Sequence, residues 1–207
     1  MANLNNHASK SNKAFRDFTQ TPKWLFKAFD HRFNYNLDGA ALPISALCER
    51  YITPEQNSLT TNWSALLANE SKPAVWINPP YSDILPWVEK ALEQRELGVL
   101  STLLVPHENR AEWWPSDRAS EIWDIVGYYR QHTYRQGKRK GQTVKKWVSG
   151  GIKFVNAETG IEEKNELNKP MCLIVFDPMH TGACIKKDIR KDVLMQIGQA
   201  ALNPKKI

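Results

Sequence analysis

The chain has 207 residues, 42% of them hydrophobic and 24% charged, which is enough apolar material for one full core and too little chain for two ordinary domains. No run approaches the roughly 20 apolar residues of a membrane span, and the opening MANLNNHASKSNK lacks the apolar stretch of a secretory leader, so a soluble intracellular protein is expected. The net charge of +6 is a mild excess overall, and three widely spaced cysteines (Cys48, Cys172, Cys184) offer neither a disulfide framework nor a CxxC zinc pair, so no metal is expected.

Residues 1–18 are polar and aperiodic and read as a flexible arm, with the remainder, 19–207, as a single domain. Thr21 suits an N-cap and Pro22 the first helical position, ahead of Trp24, Leu25, Ala28, Phe29 and Phe33 at helical spacing. Residues 33–37 alternate apolar and polar and end at Asp38-Gly39-Ala40-Ala41, which predicts a short strand entering a small-residue turn. Residues 53–72 read as loop. Ala74–Ile77 is a buried strand stopped by Asn78-Pro79-Pro80-Tyr81, and Ser82 or Asp83 caps a helix that ends near Leu97-Gly98. Residues 99–105 form a second buried strand. A strand, helix and strand of this length imply a parallel pair.

Trp113-Trp114, read as core, precedes a short helix ending near Ser120 and a strand at residues 121–126. The window from Ile125 to Ala157 contains no acid and holds Arg130, Arg135, Lys138, Arg139, Lys140, Lys145, Lys146 and Lys153, a local charge of +8 against −2 for the rest. A basic insertion at about residues 127–150 suits a polyanion such as nucleic acid; from charge alone, a solvated loop suits it equally. Strands follow at residues 152–155 and 171–176. Ile185, Ile189, Val193 and Ile197, spaced four apart, predict a terminal helix. The whole is an α/β sandwich with a mainly parallel sheet and an antiparallel end.

Asn78-Pro79-Pro80-Tyr81 is the most specific feature. In an open α/β sheet, ligands bind beyond the carboxyl ends of the strands, where these residues lie. The prolines hold Asn78 and Pro79 extended, so the Asn78 side-chain oxygen and the Pro79 carbonyl can each accept one hydrogen of an amine on a planar base, on which Tyr81 can stack. Two such acceptors localise the nitrogen lone pair. Catalysis is then alignment and polarisation, since Asn is no base. The plainer reading is a strand-to-helix turn with Tyr81 as core filler. His107, Glu108, Asn109 and Arg110 follow a strand at the same edge, within reach of a cofactor or DNA or simply solvated.

Taken with Thr21-Pro22, Leu37-Asp38-Gly39-Ala40-Ala41 and Asn57-Ser58-Leu59 before Trp63, the tetrapeptide resembles the N6-adenine DNA methyltransferases, and most closely the small phage-encoded Dam-like family. The resemblance is clear over about Thr21–Trp114 and looser through Gly151–Phe154 and Met171–Pro178. It implies a Rossmann-like methyltransferase sandwich, S-adenosylmethionine as methyl donor, and transfer to N6 of adenine in double-stranded DNA, with GATC as the family-level target. It further implies that Asn78, Pro79, Pro80 and Tyr81 bind the target adenine and that Thr21, Pro22, Asp38 and Ala40 bind the donor, Asp38 pairing with its ammonium group. Asn57 stands where the family often carries an Asp near the donor's adenine, and the glycine-rich FxGxG loop of most methyltransferases of this class is missing. Arg130, Arg135, Lys138, Arg139, Lys140, Lys145 and Lys146 are the expected DNA contacts. Also expected are a cytoplasmic, membrane-free protein, as a monomer or a dimer, in a bacterium or phage-infected cell. The same fold acting on RNA or a protein amide, or a non-catalytic DNA-binding protein, remain alternatives.

Overall fold

The computed structural model describes residues 19–156 and 159–204; the arm expected over residues 1–18 lies outside them. In chain order the elements are β1 (Thr19–Gln20), α1 (Lys23–Phe33), β2 (Leu37–Asp38), β3 (Arg50–Tyr51), α2 (Trp63–Leu66), β4 (Ala74–Ile77), α3 (Leu85–Glu96), β5 (Leu100–Pro106), β6 (Glu121–Val126), β7 (Tyr128–Thr133), β8 (Thr143–Val148), β9 (Val155–Asn156), β10 (Met171–Phe176), β11 (Ile185–Arg190) and α4 (Lys191–Leu202). No helix among the described residues is long and apolar enough to cross a membrane.

Seven strands form the main sheet in the order β11-β6-β10-β5-β4-β2-β3. All neighbours are parallel except the two pairings of β10, which is antiparallel to β5 and to β6. The antiparallel strand therefore sits inside the sheet, and the end strand β11 is parallel to its neighbour. Both faces are covered, as continuous apolar strands require. On one face Val75 and Ile77 of β4, with Leu103, Val105 and Ile174, pack against Val88 and Ala91 of α3 and against Trp63 and Leu67. On the other, Ala74 and Trp76, with Leu104, Leu173 and Val175, pack against Leu25, Phe26 and Phe29 of α1 and Leu194 of α4. A Cβ at Gly198 would lie 1.8 Å from the Trp24 carbonyl oxygen, so the α1–α4 contact needs glycine there.

Several local expectations are corrected. Helix α1 begins at Lys23 with Pro22 as its N-cap and no side-chain cap, so Thr21 does not cap it. The strand expected from residue 33 is confined to Leu37–Asp38, because α1 runs through Phe33 and Asn34 then turns left-handed at φ 52°. A one-turn helix, capped by the Asn62 side chain, interrupts the 53–72 loop. Residues 115–119 make turns where a helix was expected, and Ile152–Phe154 is irregular, with the strand starting at Val155. Ile185–Arg190 is an edge strand, and the helix starts only at Lys191: a spacing of four fits a strand as well as a helix.

The basic insertion forms an antiparallel hairpin, β7 with β8, and a sheet of its own. It leaves the carboxyl end of β6 at Gly127 and returns through Gly150 and Gly151. A Cβ at Gly127 would fall 2.4 Å from the Trp147 ring, and one at Gly150 would fall 2.5 Å from the Ile125 carbonyl oxygen, so the crossing chains at the hairpin's base admit no side chain. Lys191 Nζ donates to the Gly151 carbonyl and, at 2.7 Å, to Glu166, anchoring the return.

Candidate active site at the carboxyl edge of the sheet

The parallel strands deliver Asp38, Asn78 and His107 to one edge, where β10 begins and the hairpin departs. A cavity of about 350 Å³ opens there, and Thr21, Asp38, Ala40, Asn57, Asn78 and Pro80 are among the residues that line it. Of the expected donor-binding residues, only Pro22, buried at the head of α1, is not in its wall.

Asp38 is 3% exposed. Its Oδ1 accepts from the Ala40 N–H at 3.3 Å, an Asx turn, and its Oδ2 accepts from the Leu47 N–H at 3.1 Å, so the carboxylate ties down the loop that walls the cavity. Burial pushes its pKa from the ordinary 3.8 up to about 6, and the two N–H groups offset only part of that. The turn is small for a packing reason. A Cβ at Gly39 would lie 3.1 Å from Val75 and 3.3 Å from Ile77, so this loop lies directly on β4. Asn57 holds a left-handed backbone at φ 53°, and its Oδ1 accepts from the Leu59 N–H at 3.2 Å. The Thr21 hydroxyl is buried with no partner among the described residues, a polar atom in the cavity wall that a bound group would satisfy.

The tetrapeptide divides between two surroundings. Asn78 and Pro80 face the cavity; Pro79 is buried, and its carbonyl accepts no hydrogen bond among the described residues. Tyr81 is half-buried on the far side, its ring edge-on to Phe154 at 6.3 Å between centroids. Its hydroxyl donates to Asn78 Oδ1 at 2.8 Å. Burial raises the Tyr81 hydroxyl well above its usual range, so it stays a donor. A carboxamide oxygen has two lone pairs, and this bond orients the amide while using only one.

Beyond Tyr81, on the neighbouring strands, lies a cluster that sequence inspection does not find. His107 Nδ1 meets Asp124 of β6 in a short contact, and the ring stacks on Trp114 with centroids 4.7 Å apart. Cys172 lies below, wholly buried, its thiol donating to the Val105 carbonyl at 3.6 Å and raised in pKa chiefly by burial. Only the β5–β10–β6 pairing brings these residues together, and no local motif announces it. Trp114 is core, as expected, at 8% exposure.

The seven basic residues of the hairpin (Arg130, Arg135, Lys138, Arg139, Lys140, Lys145 and Lys146) are all exposed, and none joins an ion pair among the described residues. Tyr129 and Trp147, exposed and paired across the ribbon at 5.0 Å, share its surface with them.

Comparison with known proteins gives this edge its context. A family model described as DNA N-6-adenine-methyltransferase (Dam) matches residues 8–201. The DNA N-6-adenine-methyltransferase of Haemophilus phage HP1 is 30% identical over 172 residues, covering 82% of this chain and 84% of that protein. The protein of the same name from Escherichia phage T1 is 30% identical over 154 residues, covering 71% of this chain and 57% of that protein. With a family match that runs from residue 8 to residue 201, the chain belongs to the DNA N-6-adenine-methyltransferase (Dam) family.

Proposed function

We propose that this chain methylates N6 of adenine in double-stranded DNA, using S-adenosylmethionine, on a Rossmann-like methyltransferase fold built as one domain with the hairpin as its insertion. The carrying observation is that the donor cavity and the Asn78–Tyr81 segment share the sheet's carboxyl edge, with Asn78 in the wall of one and bonded to the other. The cavity suits the donor chemically: a buried carboxylate for an ammonium group, a hydroxyl at Thr21 with no partner among the described residues, and apolar walls. S-adenosylmethionine bound there supplies an electrophilic methyl group.

The remaining work falls to the chain's own residues. Asp38 and Thr21 hold the polar end, and Asn57 lies in the wall for the donor's base. Asn78 Oδ1, oriented by Tyr81, and the Pro79 carbonyl accept the two hydrogens of the target amine and draw its lone pair out of the ring. Pro79 and Pro80 keep those acceptors extended. A base buried in a duplex cannot reach this edge, so the adenine is flipped out, and stacking on the Tyr81 ring offsets part of the few kcal/mol of unstacking. Arg130, Arg135, Lys138, Arg139, Lys140, Lys145 and Lys146 hold phosphates. This reading places a monomer in the cytoplasm of a bacterium or phage-infected cell.

The test is to incubate the protein with methyl-tritiated donor and unmethylated DNA and to identify the labelled base. Label recovered as N6-methyladenine supports the proposal, and digestion with methylation-sensitive nucleases then asks whether GATC is the site. Normal transfer by a folded Asn78→Ala variant sinks the assigned role of Asn78.

A further inference from the structure

Methylation of an amine leaves a proton to be disposed of, and the residues assigned so far offer no acceptor for it. Asn78 is not basic. The Tyr81 hydroxyl is held in its protonated form, and Asp38 has both oxygens turned to the N–H groups of its own loop. The neighbouring strand supplies a candidate.

His107 is the first residue after β5, one strand over from Asn78 and at the same edge. It is positioned from three directions: its N–H donates to the Pro170 carbonyl at 2.8 Å, its ring lies on Trp114, and its Nδ1 is bonded to Asp124. Nε2 is then the one polar ring atom left, on a side chain that is 26% exposed. A histidine oriented by a carboxylate at a site rim is the usual form of a proton acceptor. The cluster is contiguous with the tetrapeptide. The polar atoms of His107, Asp124 and Cys172 lie within 4.8 Å of one another, and Cys172 belongs to the core cluster against which Tyr81 packs. The titratable and charged groups flanking His107 are Asp124 on β6, the Cys172 thiol on β10, which burial keeps neutral, and the Glu108–Lys169 ion pair, which neutralises itself.

We propose that His107, positioned by Asp124, accepts the proton released by the target amine, directly or through one water. This rests on the methyl-transfer reading above. The amine nitrogen forms its bond to the methyl carbon as the carbon–sulfur bond breaks, which leaves the nitrogen cationic with one proton too many. That proton passes to His107 Nε2, and the imidazolium formed is stabilised by the Asp124 carboxylate and discharges to solvent at its exposed edge. His107 is thereby a catalytic residue and Asp124 a positioning residue.

The experiment compares wild type, His107→Gln and Asp124→Asn, each checked for an unchanged circular dichroism spectrum, in single-turnover methylation of duplex DNA between pH 5 and 9. The His107 ring resonances are followed by NMR over the same range. The expected result is a wild-type rate that rises with pH at the inflection of the His107 ring. His107→Gln should be 10- to 100-fold slower, with that inflection lost. Asp124→Asn should move both the rate and the ring inflection to lower pH together, because a lost carboxylate disfavours imidazolium. The proposal is overturned if His107→Gln keeps the wild-type rate, or if it slows with the pH profile unchanged, which would mark a structural role. If wild type itself labels no adenine, the methyl-transfer reading fails first and this inference falls with it.

Discussion

Tyr81 and Asn78 are three residues apart in sequence and joined by a 2.8 Å hydrogen bond in which the phenol donates to the carboxamide oxygen. In this arrangement the carboxamide oxygen is the acceptor. Removing the bond while keeping the ring separates orientation from stacking. Tyr81→Phe is expected to slow single-turnover methylation about 5- to 10-fold, near the ~1 kcal/mol of one such bond, with DNA affinity unchanged. Tyr81→Ala is expected to weaken target-base binding as well. Rapid-quench kinetics beside fluorescence anisotropy would show the difference, and equal behaviour of the two variants would count against it.

Asp38 is expected to make donor binding sensitive to acid. Its pKa of about 6 lies above the ordinary 3.8, so the folded chain holds this proton more tightly than the unfolded chain. Its contribution to stability is then largest below about pH 4 and declines as pH rises through 6. A bound ammonium has the opposite preference, for the carboxylate. Donor affinity is therefore expected to weaken below pH 6, approaching tenfold per unit, and to lose that dependence in Asp38→Asn; calorimetric titration from pH 5 to 8 reads it directly.

The basic hairpin is expected to set the salt dependence of DNA binding. Replacing Lys138, Arg139 and Lys140 together by Ala removes three exposed charges from its tip, so the slope of log affinity against log salt should fall by about 3. The loss should be similar on every DNA sequence. A loss confined to one sequence would reassign these residues to base reading.

Gly198 is the tightest point of the α1–α4 contact. Gly198→Ala would set a methyl group against the Trp24 carbonyl and is expected to cost about 3 kcal/mol, read as a lower urea midpoint. Because Thr21 lies just ahead of α1, donor affinity should fall in the same variant. An unchanged midpoint would mean that the helices separate at little cost.

Where one local signal dominates, the sequence predicts the fold to the residue. Met171–Phe176 takes the expected bounds because it is a continuous apolar run, and Glu121–Val126 because its buried Ile122, Trp123 and Ile125 stand between Ser120 and Gly127. Ile185 and Ile189 mislead because a four-residue step satisfies both periods, and the parallel edge of β6 decides between them. The hairpin gives no strand signal, since most of its side chains meet water and no apolar alternation is needed. At the cavity, Asn78 and Asp38 are legible because each follows or ends a strand at a turn that the sequence marks, and Asn57 only through the family resemblance. The sequence marks His107 at this edge but not its pairing with Asp124, because two strand pairings bring the two together across 17 residues. The same limit hides Gln20 in the cavity wall, which depends on β1 pairing with β9.

The hairpin contributes no side chain to either core cluster and stands on glycines at both ends. Its sequence is consequently free to drift without disturbing the folding of the body. A chain built this way has a replaceable clamp: residues 128–148 exchanged between relatives should carry the salt dependence of DNA binding with them and leave the methylation step behind.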